Sequence, residues 1–255
     1  MVELILDSNN YLIYQDTPWD ARVLGFKTNE IKEIVYSDEK QLYKSLTEFE
    51  ETCQTQKYLF TNTRINPDDQ ILRKALTEHG YFNTETSLLV ERGINNLKFD
   101  VKLDNLKFVI RESKMPDLEE LRMISFDIFN YGRFFEDPYI SVENARIRNK
   151  NWINDLFNTS KIIIGELNKT IFGFMAFDVE GGKALLQLGG VRSNFSIYSY
   201  PFWYSVFLEL IGKYEVRRIS GIVSSSNIRI VNLYSHFGFK FSKVYFGYHK
   251  HRKLS

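Results

Sequence analysis

The residues best placed to do chemistry lie near the C-terminal end, in the run Asn227-Ile-Arg-Ile230-Val-Asn-Leu233-Tyr234-Ser-His-Phe-Gly238-Phe239. Asn227 can cap a helix and Gly238 can end it in the left-handed conformation, so Tyr234 falls about two turns along, on the face that carries Ile230. A phenol held this way is a weak acid with an ordinary pKa of about 10. A second group is the run Gly132-Arg133-Phe134-Phe135-Glu136-Asp137-Pro138, in which one guanidinium, two rings and two carboxylates share a short loop. It reads either as a loop pinned by an internal Arg133 to Asp137 pair or as a polar binding surface. A third is Ser196-Ile197-Tyr198-Ser199-Tyr200-Pro201, with two small hydroxyls just ahead of a proline that suits the first turn of a helix. Glu136, Asp137, Asp178, Glu180 and His236 could each serve as a base, and their spacing does not choose among them. No metal site is expected.

These groups need elements to position them. In the first part of the chain, residues 2–6, 31–35, 57–61 and 82–91 read as strands, and residues 39–53 as an amphipathic helix with Leu42, Leu46 and Phe49 on one face. Asn66-Pro67-Asp68-Asp69 reads as the start of a second helix through Leu72, Ala75 and Leu76, stopped by Gly80. Periodicity lapses over residues 95–106, which sets a boundary near residue 105. Beyond it the spacing predicts a strand over 107–111, helices over 117–129 and 142–156, and three strands over 161–166, 170–179 and 184–191 joined by short turns. A helix over 202–214, a strand over 218–223, a helix over 228–237 and a strand over 240–249 complete the order. The stretch from Leu59 to Val90 echoes the stretch from Ile219 to His249, with Asn66 opposite Asn227, a first helix about one turn longer, and Leu76 at the place of Tyr234.

Composition narrows the classes. The chain has 255 residues, 44% of them hydrophobic, enough for one large domain or two small ones. Lys and Arg number 33 against 32 Asp and Glu, so the net charge is +1 and no broad cationic face for nucleic acid is expected. The one cysteine, Cys53, cannot form an internal disulfide, and no signal segment or run of about 20 apolar residues is seen, so the expected location is cytoplasmic, without a membrane span.

The run from Asn227 to Phe239 resembles the closing motif of the GCN5-related N-acetyltransferases (GNAT), in which an Asn opens a helix that carries Leu-Tyr and ends at Gly-Phe. Further likeness reaches the bacterial dTDP-fucosamine acetyltransferases: Pro18-Trp19-Asp20-Ala21-Arg22-Val23-Leu24-Gly25-Phe26 is similar to their Trp-Asp-Ser-x-x-Phe-Gly entry signature, with Ala21 and Leu24 as departures. Gly132 to Pro138, followed by Ala145 and Trp152-Ile153, is similar to their arginine, aromatic and Asp-Pro loop. The resemblance implies an α/β fold with a mixed sheet: a GNAT acyl-CoA N-acyltransferase domain over residues 106–255, preceded by a truncated GNAT-like domain over residues 1–105. It implies acetyl-CoA as co-substrate and the amine of a dTDP-linked amino sugar as acceptor, for cell-surface polysaccharide synthesis, with a homodimer as a possible assembly. A peptide or small-metabolite amine, or a non-catalytic binding module, remain as alternatives. Carried over residue by residue, Tyr234 is the acid that protonates the departing thiolate. Gly189, Gly190 and Val191 offer backbone N–H groups to the pantetheine and the developing oxyanion. Ser196 to Tyr200 occupy the pyrophosphate loop, with Ser196, Ser199 and Pro201 where the family has Arg/Gln, Gly and Gly/Ala. Asn227 belongs to the same cofactor site, and Arg133, Phe135 and Asp137 are assigned to the sugar nucleotide.

Overall fold

The computed structural model describes residues 2–7, 9–93 and 107–253. The sequence-based boundary near residue 105 lies outside the described residues. Two compact units are present: unit 1 comprises Met1–Ser87, Gly132–Asn144 and Val244–Ser255, and unit 2 comprises Leu88–Tyr131 and Ala145–Lys243.

Unit 1 begins with β1 (Val2–Asp7), β2 (Asn10–Asp16), α1 (Pro18–Leu24), β3 (Thr28–Val35), α2 (Glu39–Gln56) and β4 (Phe60–Ile65), followed by α3 (Gln70–Glu78) and β5 (Phe82–Gly93), whose last residues belong to unit 2. The first three strands are antiparallel neighbours, and β3 pairs with β4 in parallel across the α2 crossover. Helix α2 starts where the Asp38 side chain accepts the Gln41 N–H, and it buries Leu42, Leu46, Phe49 and Cys53, an i, i+4, i+7 and i+11 stripe. Each large side chain on that stripe contributes roughly 2 kcal/mol on burial. They meet Leu12, Tyr14, Ile31, Leu72 and Leu76 in the core of the unit.

Three sequence expectations change here. The strand expected over 57–61 is β4, displaced toward the C-terminus because Lys57 takes a left-handed conformation and ends α2. The α1 turn was not foreseen. The helix expected to open at Asn66 instead opens at Asp69, whose side chain accepts the Leu72 N–H, while Asn66 closes a turn by accepting the Asp68 N–H.

Unit 2 contains β6 (Val109–Glu112), α4 (Leu118–Asp127), α5 (Val142–Thr159) from Ala145 onward, β7 (Lys161–Leu167), β8 (Thr170–Glu180), β9 (Lys183–Val191), α6 (Ser199–Tyr214), β10 (Arg218–Ser224), α7 (Ile228–His236) and the start of β11 (Lys240–His251). The ladder β6-β7-β8-β9 is antiparallel, and β10 adds to β9 in parallel. Strands β7 and β8 are buried on both faces, as their near-continuous apolar sequence requires. One face packs Phe172, Phe177, Phe202, Phe207 and Phe237 under α6 and α7; the other packs Leu121, Ile153, Ile164 and Phe174 under α4 and α5.

The internal echo is closer than the sequence suggests. Helices α3 and α7 both have nine residues. Their ends match bond for bond: Gly80 N–H to Thr77 and Tyr81 N–H to Leu76, against Gly238 N–H to Ser235 and Phe239 N–H to Tyr234. The counterpart of Asn227 is therefore Asp69, and the expected extra turn is absent.

Glu85, buried, and Glu50, half-buried, are two carboxylates of unit 1 whose pairing contributes to its acid response. Burial raises the pKa of Glu85, but Arg64, 2.6 Å away, more than offsets this and holds it below the usual range. Glu50 behaves likewise: burial raises it, and Arg252 and Lys250 pull it down further. A carboxylate with a depressed folded pKa stabilises the fold above its unfolded pKa of about 4.3, and that stability is lost as pH falls through the folded value. The melting temperature should therefore be insensitive to these two groups above about pH 5 and fall below about pH 4.3. In Glu85→Gln it should start lower and fall less steeply. An unchanged acid slope in that variant would refute the assignment.

Candidate active site in unit 2 and a buried polar cluster in unit 1

The parallel ladder of β9 and β10 runs from Lys183 opposite Arg218 to Leu186 opposite Gly221 and goes no further. Beyond it Gln187 bulges, since Ala176 faces Leu188 and Phe177 faces Leu186, and the Gln187 amide donates to Asp178 at 2.7 Å. Gly189, Gly190 and Val191 then pair with β8 alone, opening a splay between β9 and β10. A methyl at Gly190 would come within 2.4 Å of Ile128 Cδ1, so with any larger residue the Ile128 side chain just after α4 has to move.

After β9 the chain enters a 3-10 turn, Ser193–Tyr198, and then α6, which contains Ser199, Tyr200 and Pro201 in its first turn. Helix N-termini bind anions through free N–H groups. Here the Ser199 N–H already donates to Ser196, and Pro201 has none. Ile197 is 79% exposed; Tyr198 leans on Phe108 and Phe172, and Tyr200 stacks on Phe237 at 4.4 Å. This turn therefore offers fewer N–H donors than a glycine-rich one. Arg92, which the sequence reading did not single out, lies beside Gly238 and lowers the Tyr200 phenol pKa, although burial leaves that pKa raised on balance.

Asn227 caps α7, its side chain accepting the Ile230 N–H at 3.3 Å. Tyr234 is 4% exposed, packed edge-on against Phe239 at 4.8 Å. Burial pushes its phenol up to about 12, and the nearby Trp203 indole pulls it back only in part. That indole N–H is buried and makes no hydrogen bond to any described residue. Tyr234 therefore keeps its proton throughout the physiological range.

Arg133 and Asp137 sit in unit 1, and the expected pair between them is not made. Arg133 instead donates to the Asn62 side chain and faces Asp20 at 3.5 Å and Glu30 at 3.9 Å, with Asp20 fully buried. The Trp19-Asp20 signature and the Arg133 loop, far apart in sequence, thus share one ion pair. Asp137 Oδ1 accepts the Tyr139 N–H, while its Oδ2 meets His249 Nδ1 at 2.6 Å and His251 Nε2 at 2.8 Å. Burial alone would raise the Asp137 pKa, but the two imidazoles hold it well below the usual carboxylate range. Phe134, not Phe135, is the ring against His249. Glu136 accepts the Gly132 N–H. His249 and His251 went unnoticed in the sequence, although a His-x-His pair in a strand puts both side chains on one face.

No protein-family model matches the chain. The spore coat polysaccharide biosynthesis protein SpsD of Bacillus subtilis (strain 168) is 22% identical over 245 residues, spanning 93% of this chain and 82% of SpsD. Among solved structures, a GCN5-related N-acetyltransferase from Sphaerobacter thermophilus aligns with a TM-score of 0.65 at 13% identity, covering 95% of this chain and 76% of that one. A tandem GNAT protein from the clavulanic acid biosynthesis pathway aligns with a TM-score of 0.58 at 9% identity, covering 89% and 76%. The fold is therefore that of the GCN5-related N-acetyltransferases.

Proposed function

We propose that the chain is an acetyl-CoA-dependent N-acetyltransferase whose acceptor is the primary amine of a nucleotide-linked, dTDP-type amino sugar. The observation that carries the reading is the splay in unit 2, where the edge of β9 from Gln187 to Val191 is left without a β10 partner beside the start of α6. A thioester laid along that edge meets backbone N–H groups that can hold the pantetheine and the developing oxyanion. The amine attacks the carbonyl, the C–N bond forms, the C–S bond breaks, the thiolate takes the phenolic proton of Tyr234, and the proton shed by the acylated nitrogen passes to solvent, from which the Tyr234 phenolate is reprotonated. The donor set at the start of α6 fits a pyrophosphate only in part, so coenzyme affinity should be modest. The likeness to SpsD favours a polysaccharide precursor as acceptor. The first repeat is read as a non-catalytic copy, since Leu76 occupies the place of Tyr234 and has no proton to give.

Calorimetric titration with acetyl-CoA tests the reading. Micromolar binding, followed by acetylation of a dTDP-amino sugar in preference to peptides, is expected. Absence of binding at millimolar coenzyme would sink it.

A further inference from the structure

Asp137, His249 and His251 are the one group of three such ligating side chains that converges among the described residues, their donor atoms all lying within 4.8 Å of one another. The geometry points to a divalent transition-metal site in unit 1, formed by Asp137, His249 and His251, that ties the loop Gly132–Asn144 to β11.

Three observations carry this. His249 and His251 alternate along β11, opposite Asn62 and Phe60 of β4, and so face the same side. Their ring nitrogens meet one carboxylate oxygen at 2.6 and 2.8 Å, while the other oxygen is fixed by the Tyr139 N–H, which aims the ligand as supporting hydrogen bonds do around metals. A tetrahedral ion bound at about 2.0–2.2 Å sets its ligands about 3.3–3.6 Å apart, so each ring nitrogen draws back from the carboxylate oxygen by about 0.5–1 Å when the ion enters. Finally, the Phe60 ring packs against both imidazoles, at 4.8 Å from His249 and 5.0 Å from His251, so the two rings are held in place beside the carboxylate.

Two imidazoles and one carboxylate are a borderline-soft donor set suited to zinc, with an open fourth position. Rings of Phe60, Phe82, Phe134 and Tyr139 wall the site, and His251, 24% exposed, provides the approach.

The inference does not depend on acyl transfer, and its test uses no coenzyme. Full-length chain without a histidine tag, stripped with chelator, is dialysed against zinc chloride and its metal content measured. Cobalt(II) is used in parallel for its visible d–d bands. One zinc per chain, a raised melting temperature and tetrahedral cobalt bands are expected. His251→Ala, at a partly exposed position, should keep the fold and lose more than the about 10–100-fold in affinity that removal of a supporting group costs. Zinc uptake no greater than that of His251→Ala, or cobalt bands unchanged by that substitution, overturns the inference and leaves a hydrogen-bonded cluster.

Discussion

Replacing Tyr234 by phenylalanine is expected to lower kcat about 100-fold or more, the usual worth of a positioned acid, while acetyl-CoA binding changes little. The ring packs on Phe239 among apolar neighbours and the hydroxyl has only the Trp203 indole near it, so the variant should fold as the parent does. Because burial pushes the phenol up to about 12, its proton is present across the assay range. Rate should therefore not fall on its account between pH 7 and pH 10, where an ordinary phenol of pKa about 10 would begin to lose its proton. The raised value also makes this a weaker acid than the departing thiol, so transfer must accompany C–S cleavage rather than precede it. Stopped assays of wild type and Tyr234→Phe over pH settle the point. Retained turnover in the variant would make Tyr234 a packing residue and move the acid elsewhere.

Replacing Arg133 by methionine should destabilise unit 1 by about 3 kcal/mol, the lower end of the cost of breaking a buried ion pair. Asp20 is fully buried, and without the guanidinium it and Asn62 lose their cationic partner. Adding Asp20→Asn to Arg133→Met should recover part of the loss, since the uncompensated charge is then gone, and thermal denaturation of the four chains gives the coupling directly. A loss below about 1 kcal/mol, the value of an exposed pair, would show that Arg133 serves the ligand and not the fold.

The two units were legible to different degrees. In unit 2, Asn227, Gly238 and the near-continuous apolar runs of β7 and β8 are local signals, and the elements formed close to where the sequence placed them. In the first, Asn66 carried the same cap chemistry as Asp69 and stood beside a proline, so propensity alone favoured the wrong start. What distinguishes Asp69 is a tertiary contact: the Tyr36 hydroxyl donates to the same carboxylate oxygen that caps the Leu72 N–H. The β4 strand shifted for a similar reason. Residues 60–63 had to register with Thr28 to Ile31, and Lys57 took the left-handed turn that allowed it.

Side-chain partners were the least legible. Arg133 and Asp137 are near neighbours in sequence and carry opposite charges, so an internal pair was one of the two readings left open. Each is matched instead by groups far along the chain, Asp20 and Glu30 for one, His249 and His251 for the other. Sequence by itself determined what depends on neighbours along the chain: the periodic elements, the caps of α7, the glycines that end helices, and the lack of a long apolar span. Tertiary structure alone decided the splay of β9 from β10, the burial that raises the Tyr234 phenol, and the meeting of Asp137 with two histidines. Those depend on which surfaces exclude water together, and a side chain's charge, pKa and partners follow from that exclusion rather than from its place in the sequence.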